Sequence, residues 1–436
     1  MRGAVLTGQV RRAQRNLSRY LPNFRVHRTG ILALLGVLGP GLISALSGND
    51  AAGIATYSVL GAETGLSLLW LLPVTTLMLA IVLEMSARMG AVSGQGFGDL
   101  IRDAFGIRWT VFAMGVVLLA NGAVIVAEFA GIAAALEIFG VTRYVTVPVV
   151  AAAIWALVVF ASYRLVERVF LSVAVVFLAY VVSAFVIGPD WGDVGLALVT
   201  PSVPLEPDLL LLMVAVVGTT VTPYMFFYLQ SSVADKGIGP EELRLTQTDA
   251  IFGSVLTNAI AVFIVIVAAV TLFPVGIHVE TADEAAHALR PAVGQFAELL
   301  FAFGLFGASV LAATILPLTT SYAVCESFGW ESGVSRNFRE APVFMALYTA
   351  LVGIGALVVL IPGLPLVGAI LVSANLNGIL LPIVLVFMLR LVNNPRIMGR
   401  YVNPRWLNVV AWGLTALVVV LTLVMFGSTI ASWVGR

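Results

Sequence analysis

Apolar residues recur along this chain in blocks separated by short stretches where arginine, acids, glycine and proline collect. About 20 predominantly apolar residues cross a hydrocarbon core as an α-helix. On that template the pattern predicts eleven membrane spans, near 31–61, 66–90, 108–136, 143–163, 168–188, 205–232, 247–275, 292–324, 341–362, 365–391 and 406–433. Two of these blocks do not suit a continuous helix. The first contains Gly39-Pro40-Gly41 and then Ser47-Gly48-Asn49-Asp50-Ala51-Ala52-Gly53; the sixth contains Gly218-Thr219-Thr220-Val221-Thr222-Pro223-Tyr224. Glycine and proline loosen a helix, and the backbone groups so freed need protein or water partners inside a membrane. The breaks stand five spans apart, the pattern of an inverted repeat with a site between broken helices. Glycine and proline can also serve only for kinks and close packing; an ionisable Asp50 inside the first break points instead to a site.

The expected fold class is therefore an all-α polytopic membrane protein. Its parts are a basic tail (1–30), helices 1–5 as a first repeat (31–188), helices 6–10 as the inverted repeat (205–391), and a loop with an additional eleventh span (392–436).

Charge then sets the orientation. The first thirty residues hold Arg2, Arg11, Arg12, Arg15, Arg19, Arg25 and Arg28 and no acid. With that tail inside the cell, the inner connections collect Arg88, Arg102, Arg108, Arg164, Arg168, Lys236, Arg244, Arg336, Arg339, Arg390, Arg396, Arg400 and Arg405. The outer side keeps only Arg143, Arg290 and Arg436. Lys and Arg near span ends mark the cytoplasmic side, so a multi-pass protein of the cell (inner) membrane with a cytoplasmic N-terminus is expected. The run is too long for a signal peptide and no small-residue cleavage site follows it. Leu17, Tyr20, Leu21 and Phe24 have roughly the spacing of a surface helix. The outer acids Asp190, Asp193, Glu206, Asp208, Glu280, Asp283 and Glu284 could gather cations, although solvated loops explain them as well.

Composition confirms the class and excludes others. Apolar residues make up 60% of the chain, charged residues 11%, and the mean hydropathy is +1.04; soluble domains carry about 25% charged residues. The single Cys325 rules out an intramolecular disulfide or a cysteine metal cluster. His27, His278 and His287 all fall outside the predicted spans. An intramembrane enzyme would need a nucleophile with its base or a histidine metal site, and neither pattern is present. An organic-solute carrier would aim a helix N-terminus at a substrate carboxylate, and Asp50 argues against an anion there.

The candidate chemistry centres on Asp50. A carboxylate near the bilayer centre costs about 2.5–3.5 kcal/mol on insertion scales, and a bound cation would offset that. Carbonyls at the breaks and the hydroxyls of Thr219, Thr220 and Thr222 could join it, although membrane threonines often only bond back to their own helix. Oxygen-only donors suit hard ions such as Mg2+, Ca2+ or Mn2+. Glu128 lies deep in the third span. Glu84 has Arg88 one turn on, so a structural ion pair reads at least as well. Asn375 and Asn377, two apart, do not share a face, so one at most is expected at the site. Asn121 and Asn258 read as interhelical hydrogen bonds, and Asp249 as a cap on its own helix.

With these residues in place, the chain resembles the Nramp divalent-metal transporters over essentially its whole length. Gly39-Pro40-Gly41, Asp50, the Ser67-Leu68-Leu69-Trp70 run and Thr222-Pro223-Tyr224 are spaced as in that family. The resemblance implies the LeuT-type 5+5 inverted repeat with helices 1 and 6 broken, and alternating access. It also exposes departures. Most members read Asp-Pro-Gly-Asn in the first break, where this chain has Asp50-Ala51-Ala52-Gly53; the metal-binding asparagine is replaced by Gly53. Most read Met-Pro-His in the sixth span, where this chain has Thr222-Pro223-Tyr224. An aspartate usual three residues before the glutamate of span 3 is Ile125 here. Loss of a thioether removes a filter for softer metals, and glycine in place of asparagine suggests a roomier cavity for a partly hydrated Mg2+. Loss of the histidine and aspartate weakens the case for coupled protons. The combination resembles the Nramp-related magnesium transporter branch. It implies a carrier of Mg2+ and Mn2+ without proton coupling, with a metal site of Asp50, Gly53, Thr219, Thr222, Asn375 and Asn377. The alternative is an ordinary proton-coupled Mn2+/Fe2+ importer using Glu128. The expected partners are the lipid bilayer and divalent metal ions, not nucleic acid. No tightly bound cofactor is expected, and a monomer is the default.

Overall fold

The computed structural model describes residues 39–160, 179–333 and 338–434. The basic tail, residues 161–178 with Arg164, Arg168 and about half of the predicted fifth span, and Arg336 lie outside these. The unit described here is Pro40–Arg436.

The described residues are helical throughout, without strands. In chain order they form α1 (Pro40–Leu46), α2 (Ala51–Thr64), α3 (Leu71–Ser93), α4 (Phe97–Phe105), α5 (Ile107–Glu137), α6 (Arg143–Phe160), α7 (Trp191–Val199), α8 (Pro207–Thr220), α9 (Pro223–Asp235) and α10 (Leu243–Thr271). Then come α11 (Ala282–His287), α12 (Ala297–Phe328), α13 (Pro342–Val359), α14 (Leu366–Val392) and α15 (Arg405–Val434). Eight helical segments, with Pro207–Asp235 taken as one, are long and apolar enough to cross a membrane. The first broken helix, α6 and the partly described fifth span account for the rest of the predicted eleven. Both breaks fall where predicted: helix is lost at 47–50 between α1 and α2, and at 221–222 between α8 and α9.

Packing shows the repeat directly. α1 and α2 pack on α10, while α8 and α9 pack on α3. Each broken helix thus lies against the second span of the other half, the exchange that an inverted repeat requires. Small residues permit the close approach: a Cβ on Gly61 would lie 2.4 Å from the Val265 carbonyl, and one on Gly90 would lie 2.7 Å from that of Gln230. α5 packs on α12 and α14, and α14 on α8. Gly218 meets the backbone of α14 at Ala374 and Gly378.

Three sequence expectations change. Asp249 does not cap its own helix; it accepts from Gly41 N (2.7 Å) and Leu42 N (3.3 Å), capping the first turn of α1 across the repeat. Asn258 bonds back to Ser254 O (3.3 Å) instead of across helices, because its side chain reaches its own preceding turn. Asn121 does bridge helices, donating to Thr320 Oγ1 at 2.9 Å. The short α4, absent from the expected elements, buries Phe97, Leu100 and Ile101.

Candidate ion site at the paired helix breaks

Asp50 is the N-cap of α2. Its Oδ1 accepts from Gly53 N at 2.9 Å, and its extended backbone turns the chain into the helix. Glu128 of α5 reaches the same helix start, where its Oε2 accepts from Ala51 N at 3.3 Å. The two carboxyls are thus held by backbone N–H groups of the same first turn of α2. Both are buried, at 3% and 0% exposure. A helix N-terminus steadies one negative charge. Two carboxyls beside it need a further positive charge, from a proton or a cation.

The breaks are stitched together. Tyr224 Oη donates to Ser47 O (2.8 Å), Ser44 Oγ to Met225 O (2.6 Å), and Tyr57 Oη pairs with Thr220 Oγ1 (2.9 Å). The C-terminal ends of α1 and α8, whose dipoles favour cations, therefore lie beside the two carboxyls.

The predicted hydroxyls divide. Thr220 Oγ1 donates to Val216 O (2.6 Å), and Thr222 Oγ1 bonds to Thr219 O (3.1 Å) and Gly218 O (3.3 Å). Those bonds use the hydroxyl protons and leave oxygen lone pairs for a metal. Thr219 Oγ1 has no partner among the described residues, and neither do Asn49 Oδ1, Glu128 Oε1, Asn375 Oδ1 or Asn377 Oδ1. Asn375 turns its amide onto Leu371 O (3.0 Å). Both asparagines lie on the α14 segment that abuts Gly218. An unpaired buried polar atom costs about 1–3 kcal/mol, and a cation is a partner that such oxygens would accept.

Two details depart from the sequence reading. The space beside Gly53 is not open: a Cβ there would lie 2.4 Å from the Gly48 carbonyl, so the glycine admits backbone and adds no room. A thioether is also present nearby. Met225, one turn into α9, sets its methyl against Gly48, where a Cβ would meet it at 2.6 Å. Sequence reasoning missed Met225 because it read only position 222. It also missed Ser309, whose unpaired Oγ faces Gly131 beside Ala51, and Tyr57. Seven residues after Asp50, Tyr57 lies two helical turns along the same face, a spacing that could have signalled it. Ala51 and Ala52, both buried, form the first turn of α2, and Pro223 opens α9.

Ile125 packs against α13 at Gly355, where a Cβ would lie 2.6 Å from its Cγ2. Glu84 belongs elsewhere, paired with Arg88 (2.8 Å) and accepting from Gln247 Nε2 (2.6 Å). Asp283, His287 and Glu298 bring ligand atoms within 4.8 Å of one another in the segment joining α10 to α12, but Arg290 already engages Glu298.

Residues 41–428 match the family model described as natural resistance-associated macrophage protein-like. Among similar proteins, the divalent metal cation transporter MntH of Granulibacter bethesdensis is 26% identical, with 92% of this chain and 90% of that one covered. MntH 1 of Pseudomonas aeruginosa is 29% identical over 87% of this chain and 89% of its own length. The manganese transporter of Eremococcus coleocola, crystallised with an aromatic bis-isothiourea compound, superposes with a TM-score of 0.73 at 18% identity, covering 95% of this chain and 91% of that one. MhsT, crystallised with L-phenylalanine, shares the fold at a TM-score of 0.58 and 13% identity, covering 89% of this chain and 98% of its own. The MntH proteins and the Eremococcus protein are transporters and not enzymes. With the broken helices, the exchanged packing and a family match across nearly the whole sequence, this multi-pass membrane protein belongs to the Nramp family.

Proposed function

We propose that this protein carries divalent metal ions, Mg2+ and Mn2+, across the cell membrane by alternating access between the two helix breaks, without coupled protons. The observation that carries this reading is that Asp50 and Glu128 both accept from backbone N–H groups of one helix start, with partnerless buried oxygens on the break residues Asn49 and Thr219 and on Asn375 and Asn377 of α14. Hard oxygen donors favour Mg2+ and Mn2+. The support is the donor chemistry and not the room, since Gly53 opens none. Against proton coupling stand Tyr224, held by Ser47 O, and Ile125, packed in an apolar contact with α13. The arginine-rich ends favour a cytoplasmic N-terminus. Import would then begin on the side of the cavity of about 660 Å3 lined by Glu137, Glu280 and Asp283.

A second reading rests on Met225. A thioether one turn from the break would let softer ions compete, and Glu128 against Asp50 could pass a proton as metal arrives. A proton-coupled manganese importer fits those two contacts, and the Eremococcus relative is named as a manganese transporter.

Metal uptake into proteoliposomes with an internal pH dye separates the readings. Mg2+ uptake without acidification, lost in Asp50→Ala, supports the first. Mn2+ uptake with acidification and no Mg2+ flux replaces it with the second.

A further inference from the structure

At the end of the bundle that carries most of the described arginines, a cavity of about 860 Å3 opens between α3, α10 and α15, apart from the helix breaks. Three arginines against one glutamate line it. The inner pair is complete. Arg88 holds Glu84 through two guanidinium nitrogens and also donates to Tyr401 O and Asn403 Oδ1, while Gln247 supplies Glu84 with a further donor. The remaining cations, Arg244 and Arg400, are both exposed. Arg400 is oriented at the mouth by Tyr401, donating to its hydroxyl at 2.8 Å and lying 5.0 Å over its ring.

Much of the rest of the lining is apolar, and part of it faces outward: Leu77 is 49% exposed, Ile251 44% and Trp406 66%. On a membrane protein these surfaces meet lipid, and tryptophan favours the headgroup level. A free anion in water gains nothing from such walls. A zwitterionic headgroup would bring its own cation against the arginines. Basic pockets between membrane helices suit acidic headgroups, and guanidinium pairs well with phosphate.

We infer that this cavity binds an anionic phospholipid, its phosphate between Arg244 and Arg400 and its acyl chains along Leu77 and Ile251.

The test is native mass spectrometry of the purified full-length protein, titrated with short-chain phosphatidylglycerol, short-chain phosphatidylcholine or inorganic phosphate. Wild type should retain phosphatidylglycerol in preference to phosphatidylcholine. Arg244→Gln/Arg400→Gln should weaken retention by roughly thirtyfold, whereas Arg396→Gln, an exposed arginine off the lining, should leave it unchanged. Ile251→Trp, which keeps both arginines and fills the apolar wall, should also release the lipid. Equal retention in the double variant, equal loss in Arg396→Gln, or indifference to headgroup charge would each overturn the assignment. So would displacement by inorganic phosphate at concentrations matching the lipid, since that would make the cavity a phosphate pocket.

Discussion

Among the described residues, the acids at the basic end and those at the helix breaks behave differently. At the basic end Glu84 meets a guanidinium, an amide donor and a backbone that holds Arg88 in turn. At the helix breaks Asp50 and Glu128 share one helix N-terminus, and Glu128 Oε1 has no partner among the described residues. The first arrangement is complete and ties α3 to the segment before α15. In the second, neither acid is in an ion pair with a cationic side chain among the described residues. A buried acid is therefore no guide to function until its partners are counted.

The largest effect should come from Asp50→Ala. Losing even a supporting partner of a metal ligand costs about 10–100-fold in affinity; losing the central carboxylate should cut metal uptake by more than about 100-fold, with thermal stability retained. Uptake near the wild-type rate would move the site elsewhere. Arg88→Ala should do the reverse. It leaves Glu84 buried with its main partner gone, so the protein should lose about 3–5 kcal/mol in thermal unfolding while metal selectivity stays constant. If that variant changes selectivity instead, the two regions are not separate.

Gly53→Asn and Thr222→Met sharpen the contrast within the ion site. The asparagine must push into the Gly48 carbonyl, an overpacking of about 1–3 kcal/mol, so uptake of every metal should fall together. Thr222→Met adds a thioether and should shift uptake from Mg2+ toward Cd2+. A clean gain of Cd2+ transport from Gly53→Asn alone would show that the break yields more easily than its packing implies. Tyr224→Phe should act more gently. It removes one bond between the breaks, about 0.5–1.5 kcal/mol, read as an uptake loss of up to about tenfold with selectivity unchanged.

The smallest effect belongs to an exposed pair that serves as a control for both regions. His278 hydrogen-bonds Glu63 at 2.8 Å, and that bond and the carboxylate's charge raise its pKa. A raised imidazole pKa stabilises the folded state below the ordinary histidine range, and the gain fades as pH rises through the folded value. The melting temperature of wild type should exceed that of His278→Ala slightly near about pH 5, with the difference gone above about pH 8. A difference that grows with pH would reverse the sign and exclude this pair as its source.

Much was legible along the chain because its signals are local. Span length, arginine placement and the two Gly/Pro breaks depend on the residue order and on the bilayer's thickness. Asp50 stands out because an acid in a broken membrane helix has few other uses. What escaped was mutual placement. Asp249 lies beside Leu243–Thr271 in sequence yet caps α1, because the exchange of halves brings Gly41 to it. Gly53 looks like empty space in a motif, but the turn at 47–50 folds Gly48 into it. Met225 and Ser309 carry no motif and reach the break only through packing.

By itself the sequence determined the class, the helices and the family resemblance, and it singled out Asp50 as the candidate residue. Each follows from apolar runs and motifs that are read within one segment. Only the tertiary structure decided which buried oxygens stand unpaired, that Glu128 shares the helix start of Asp50, and that Glu84 does not. Those outcomes depend on contacts such as Ala51 to Glu128, between residues far apart in the chain. The helix crossings set by small residues and by the inverted repeat bring them together.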